Sequence, residues 1–197
     1  MLNSSAELRQ IIEKKSGASP VINDACGLRL KLGHDVVAMR SNGYDPSILS
    51  ELEAFNEQLD TFIAHPRFGE YLATLTPREL YIASGVRVLP LDSIRDEIQQ
   101  LAPGASIFPH GYMPFARSIG GNALCFHEAS SRVIWAEHFT FSTDEIIYND
   151  RNNGGMRILS FTADNIARAV VPLADDFETF LSELLHDQLG QKLDELD

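Results

Sequence analysis

The stretch Gly111–His138, GYMPFARSIGGNALCFHEASSRVIWAEH, decides the fold. It holds a Gly-Gly pair, a cysteine, two histidines, two glutamates and the sole tryptophan, so it reads either as a reaction centre or as the middle of a sheet. Taking Glu128–Ser131 as a four-residue hairpin turn sets His127 against Arg132, Phe126 against Val133, Cys125 against Ile134 and Leu124 against Trp135. Leu124, Phe126, Val133 and Trp135 then share one face, as a core face requires. The other face carries Cys125, Ile134 and Ala136. The sensible register thus spends the tryptophan on packing.

The same register limits the chemistry. His127 and His138 fall at opposite ends of the hairpin, separated by roughly 20 Å at about 3.3 Å per residue. One metal cannot hold both, and the chain has no HxH, HExxH or cysteine-rich spacing. Cys125 and His127 share a face but stand about 6.6 Å apart along the strand, too far for a prepared thiol–imidazole dyad without a third, orienting group. A buried cysteine and a rim histidine are expected. "SIGGN" lacks both GxxxxGK[ST] and GxGxxG and is expected to be a tight turn rather than an anion nest. No catalytic residue, cofactor or metal site is expected.

Outward from the hairpin, the other elements follow from period and punctuation. Ser4 or Ser5 caps an expected helix at Ser5–Lys15, with Leu8, Ile11 and Ile12 on one face. The alternation in GLRLKLG, Leu28, Leu30 and Leu32 against Arg29 and Lys31, suits a half-buried strand. HDVVAMRSNGY reads as a helical turn closing at Asn42-Gly43. A longer helix starts at Asp45-Pro46 and stops before Pro66, with Ile48, Leu49, Leu52, Phe55, Leu59, Phe62 and Ile63 at helical spacing. Strands around ELYIAS and VRVLP flank Ser84-Gly85, and LDSIRDEIQQLAPG reads as a helix capped near Asp92 and ended by Pro103-Gly104. Further strands are expected at Met113–Arg117, Asn122–His127, Arg132–His138 and Met156–Thr162, the last after an Asn153-Gly154 turn. Between them TFSTDEIIYNDRNNGG reads as a loop. Asp175 or Asp176 caps a closing helix whose stripe is Phe177, Phe180, Leu181, Leu184 and Leu185. The fold class is α+β: a mainly antiparallel central sheet flanked by N-terminal and C-terminal helices.

At 197 residues, 44% hydrophobic and with 11 Phe, the chain is long enough for one domain with a real core. Its 16 basic and 28 acidic residues leave a net charge of −12. From Asp164 to Asp197, nine acidic residues stand against Arg168 and Lys192, a local net of −7. Such a field repels phosphates and anionic lipid and favours cationic partners, so direct nucleic-acid or membrane binding is not expected. Two isolated cysteines, a polar N-terminus and no long apolar run suit a soluble, cytoplasmic chain.

In order and spacing the sheet and closing helix resemble the SUKH superfamily, which includes the Smi/Knr-type proteins. The resemblance runs through LPLDSIRDEIQQL, then Pro114, Phe115, Ala116, Gly120, Gly121, Asn122, Leu124 and Cys125. It continues through Val133, Trp135, Glu137 and His138 to Ala174, Phe177, Phe180 and Leu181, covering about Glu79 to Leu185. Ser118-Ile119 stand where that family often has an acidic residue, and Ala136 where it often has an aspartate. The implied organisation is a helical N-terminal region or insertion at 1–75, a SUKH-like sheet and closing helix at 76–189, and an acidic tail at 190–197. The implied function is non-catalytic binding: an immunity protein that neutralises a cognate bacterial toxin such as a nuclease, or else a regulatory adaptor that binds a host protein. A cysteine-dependent enzyme using Cys125 and His127 is the third reading. If charge drives recognition, the residues to watch are Glu128, Asp144, Glu145 and Asp150, acidic positions in loops around the sheet.

Overall fold

The computed structural model describes residues 9–10, 13–14, 17, 20, 22–78, 80–142, 145–150 and 155–196, with the side chains of Tyr81 and Asp150 outside that description. Of the first expected helix, Arg9, Gln10, Glu13 and Lys14 are described and helical; its caps and its apolar face lie outside the described residues. The segment read as a strand is instead helix α1, Ala25–Leu32. Asp24 caps it by accepting a hydrogen bond from the Gly27 amide, and Leu28 and Leu32, four apart, point inward while Leu30 is 76% exposed. Alternate leucines satisfy an i, i+4 stripe as well as a strand, and the cap decides between them. Helix α2, Val36–Ser41, closes at Asn42-Gly43 as expected.

Helix α3 runs Pro46–Ala64, capped by Asp45 through the Ser47 amide. It buries Leu49, Leu59 and Phe62, whereas Ile48, placed in its stripe by spacing, is 44% exposed. Asn56 is buried too. Its amide accepts from the His34 N–H and donates to the His34 carbonyl, both at 2.9 Å, which satisfies the buried polar group and ties the loop between α1 and α2 to α3. Helix α4, Phe68–Thr74, follows after a sharp turn and was not foreseen. Gly69 makes that turn possible, because a Cβ there would lie 2.1 Å from the Ile63 carbonyl oxygen.

Strands β1, Tyr81–Ala83, and β2, Val86–Val88, form the expected hairpin, with Ser84 and Gly85 both at positive φ, 48° and 76°. Helix α5 spans Leu91–Gln99. It starts at Pro90 without a side-chain cap and ends at Gln100, so Asp92 sits in its first turn rather than capping it. Gly104 opens the short helix α6, Gly104–Ile107, instead of closing α5. Strands β3, Tyr112–Ser118, β4, Ala123–His127, and β5, Arg132–Ala136, continue the sheet. The β4–β5 register is the one read from the sequence, including Phe126 opposite Val133 and Leu124 opposite Trp135.

The segment read as a loop after Phe141 contains strand β6, Ile146–Asp150, which pairs with β7, Gly155–Leu159, as a separate two-stranded ribbon. The Asn153-Gly154 turn lies outside the described residues. Helix α7, Ala163–Ala169, then leads into β8, Val171–Ala174, which pairs with β5 and completes a six-stranded antiparallel sheet ordered β1-β2-β3-β4-β5-β8. Helix α8, Phe177–Leu185, is capped by Asp176 and buries all five residues of its expected stripe. Helix α9, Gly190–Asp194, occupies the segment read as an acidic tail and buries Leu193. Among the described residues no helix is long and apolar enough to cross a membrane.

Both faces of the sheet are covered. Leu124, Phe126, Val133 and Trp135 join the larger core with α1, α3, α4 and α8. Cys125, Ile134 and Ala136 join a second core with Ile107, Tyr112, Phe141, Ile146 and Ile166, roofed by the ribbon and α7. The roof explains why the supposed loop had to be a strand: a fully buried second sheet face needs a hydrophobic cover whose backbone hydrogen bonds are satisfied.

Candidate functional site

The central hairpin spends its reactive side chains on structure. Cys125 is fully buried in the second core, and burial pushes its thiol well above the usual range; the Glu97 carboxylate adds to that rise, while Arg117 opposes it. A thiol held protonated lacks the activation of a cysteine nucleophile. His127 stacks on Tyr112 with ring centroids 4.2 Å apart, and its Nδ1 shares a 2.8 Å hydrogen bond with Ser130 Oγ. Burial lowers its pKa, and Glu128 partly offsets this. His138 lies beyond the far end of β5, its ring Nδ1 3.0 Å from Asn122 Oδ1, which also accepts from the His138 backbone N–H.

The SIGGN segment is the tight turn that the sequence suggests. Gly121 N–H donates to the Ser118 carbonyl, Asn122 N–H to Ser118 Oγ, and Ile119 N–H to the Gly85 carbonyl. Those amides already have partners, so they are not aimed at an anion. Among the described residues no group of three or more His, Cys, Asp or Glu side chains is disposed to hold a metal. Beneath α8 lies a cavity of ≈ 10 Å³ lined by Tyr71, Leu75, Pro77, Val88, Leu181, Leu184 and Leu185, about the space of a single water.

A buried ionic contact links Glu97 on α5 to Arg117 on β3, through Oε1 and Nε. Glu97 is 3% exposed and its Oε2 has no hydrogen-bond partner. Burial raises the Glu97 pKa, and Arg117 lowers it by less than burial raises it. The pair holds α5 against the sheet beside Cys125.

Of the four acidic positions singled out by charge, Glu128, Glu145 and the backbone of Asp150 are described. Glu128 sits half-buried in the β4–β5 turn, where its N–H donates to the Gly111 carbonyl. Glu145 is exposed just before β6 and exchanges hydrogen bonds with Ser142. Asp150 ends β6, roughly 16 Å from Glu145 along the chain at about 3.3 Å per residue. Asp144 lies outside the described residues.

A different constellation emerges at the opposite end of the sheet from Glu128. The β1–β2 turn meets the β3–β4 turn through the Ile119-to-Gly85 bond, and Asn122 ties the β3–β4 turn to Glu137–Phe139 through His138. Ser84 Oγ donates to Asp187 Oδ1 at 3.2 Å, which brings in the loop after α8. Ile119 is 60% exposed and Phe139 74% exposed on this rim. Sequence period does not find such residues, because both sit in turns outside any repeating pattern. Only the β4–β5 register, placing Ala123 opposite Ala136, implies that their turns are neighbours.

No known protein family, curated protein or solved structure matches this chain.

Proposed function

We propose that this protein is a non-catalytic binding scaffold that neutralises a cationic protein toxin, in the manner of an immunity protein. The observation that carries the reading is charge. The chain has a net of −12, concentrated in Asp164–Asp197, whose α8 and α9 lie on the surface with Glu178, Asp187, Asp194 and Glu195 exposed. The resemblance of Glu79–Leu185 to SUKH proteins points the same way. The burial of Cys125 and the structural partners of His127 weigh against the cysteine-dependent alternative.

An acidic inhibitor steers onto the basic cleft of a nuclease at low salt, and close charge pairs then slow its release. The test is co-purification of the tagged full chain from its native lysate, washed at low and at high salt. A single stoichiometric basic toxin domain, released by salt and inactivated in the complex, is the expected result. Recovery of a housekeeping protein with no toxic activity would replace this reading with the regulatory adaptor.

A further inference from the structure

Among the described residues the most exposed apolar side chains include Val37 and Leu30 on the outer side of α2 and α1, Met156 and Ile158 on β7, and Ile119 and Phe139 on the rim, where the Phe139 ring rests on that of His138. The rim combines anchors with a predominantly acidic surface, although Arg87 is exposed on β2 two residues from Gly85. Its turns, Ser84–Gly85, Ile119–Gly121, Glu137–Thr140 and Asp187–Gln188, contain no lysine or arginine, and they carry Glu137 and Asp187. Helix α9, with exposed Asp194 and Glu195, packs beneath the β1–β2 turn, where the Leu193 side chain would meet a Gly85 Cβ at 4.0 Å. Its one cation, Lys192, is already paired with Glu183 at 2.7 Å. The carboxyl end of α8 also faces this rim, its Leu184 carbonyl 3.5 Å from Ser84 Oγ, and adds the negative end of a helix dipole.

We propose that this rim is a docking surface for a basic protein surface, with Ile119 and Phe139 inserted as apolar anchors and the carboxylates of Glu137, Asp194 and Glu195 opposing its cations. The assignment rests on the protein-binding reading above and adds to it the place of contact. Exposed apolar anchors beside acidic side chains suit a contact in which a few side chains carry most of the binding energy while the charges govern the rate of encounter.

The test uses the full chain and a defined probe, a synthetic peptide of alternating lysine and leucine, followed by backbone-amide NMR. Saturable shifts are expected at Gly85, Ile119–Gly121 and Glu137–Thr140. Affinity is expected to fall at least about tenfold in the Ile119→Ala/Phe139→Ala double variant and to stay unchanged in Leu30→Ala. Glu137→Gln is expected to flatten the salt dependence while the anchors still bind. Shifts centred on Met156–Ile158 or on α2, equal affinity in the double variant, or no saturable binding would each overturn the assignment. The failures are separable. A rim that maps correctly while the native lysate yields no toxin removes the immunity reading alone; a toxin whose binding ignores the double variant removes the rim alone.

Discussion

Glu97 carries the sharpest residue-scale consequence. Its carboxylate is buried with one oxygen unpartnered, and burial outweighs the help of Arg117, so its folded pKa stands above the ordinary 4.5. An acid whose pKa is raised on folding binds its proton more tightly in the native state. Its contribution to stability is therefore greatest in acid and is lost as pH rises from 4.5 through the folded value. The Glu97→Gln variant removes that term while keeping the shape. Denaturant midpoints across pH 4 to 8 are expected to show the stability difference, variant minus wild type, growing in favour of the variant as pH rises. A difference that stays level would mean that the Arg117 contact cancels the burial cost throughout. Replacing Arg117 instead leaves the carboxylate alone in the core, which typically costs about 3–5 kcal/mol. Glu97 could not be picked out beforehand. In the sequence it is one of three acidic residues in its helix, with Asp92 and Asp96, and nothing in their spacing distinguishes the one that turns inward.

At the scale of elements, the short helix α4 shows what pattern reading loses. Phe68, Tyr71, Leu72 and Leu75 follow helical spacing and are all buried, yet Arg67 makes no side-chain cap and only three residues separate α4 from α3. Without a start signal the pattern is too brief to stand out from α3 and its Pro66. The β4–β5 hairpin and α8 were legible for the opposite reason: a cap or turn marked each boundary, and long side chains filled every inward position. Strand β7 was legible from Met156 onward, although it ends at Leu159 rather than Thr162, but β6 was lost because its acidic, Asn-rich surroundings read as loop, and only the second core beneath it reveals the need for a roof. The consequence for α4 is concrete. Phe68 stacks on Phe126 with centroids 4.4 Å apart and planes within 9°, and meets Phe115 and Phe177 edge-on. Phe68→Ala is expected to cost about 3–5 kcal/mol in chemical denaturation, while Ile158→Ala, on the exposed side of β7, stays within about 0.5 kcal/mol. Equal losses would mean that the ribbon's outer side is covered in solution.

At the scale of the whole molecule, salt acts on two opposed quantities. Apart from Glu97–Arg117, described ion pairs such as Arg29–Asp60 at 3.0 Å and Arg67–Glu178 at 2.7 Å join side chains that are roughly half exposed, and pairs of that kind contribute about 0–1 kcal/mol each. Against them stands the mutual repulsion of a net charge of −12. A chain of this length has a radius of gyration of about 16 Å. The screening length is about 30 Å at 0.01 M salt and about 10 Å at 0.1 M. Repulsion between distant carboxylates is thus felt across the molecule at the lower salt and largely removed at the higher, while contacts near 3 Å are weakened far less. Raising salt across that range is expected to lift the unfolding midpoint by about 2–4 °C, the shift that ~1 kcal/mol makes in a domain of this size. The same change is expected to weaken the complex with a basic partner, because there the long-range field is attractive. Opposite slopes are the useful result: they show that salt dissolves the complex between folded molecules and does not release the partner by unfolding this one. A midpoint that falls with salt would mean that the ion pairs outweigh the repulsion, and the acidity would then need no partner to account for it.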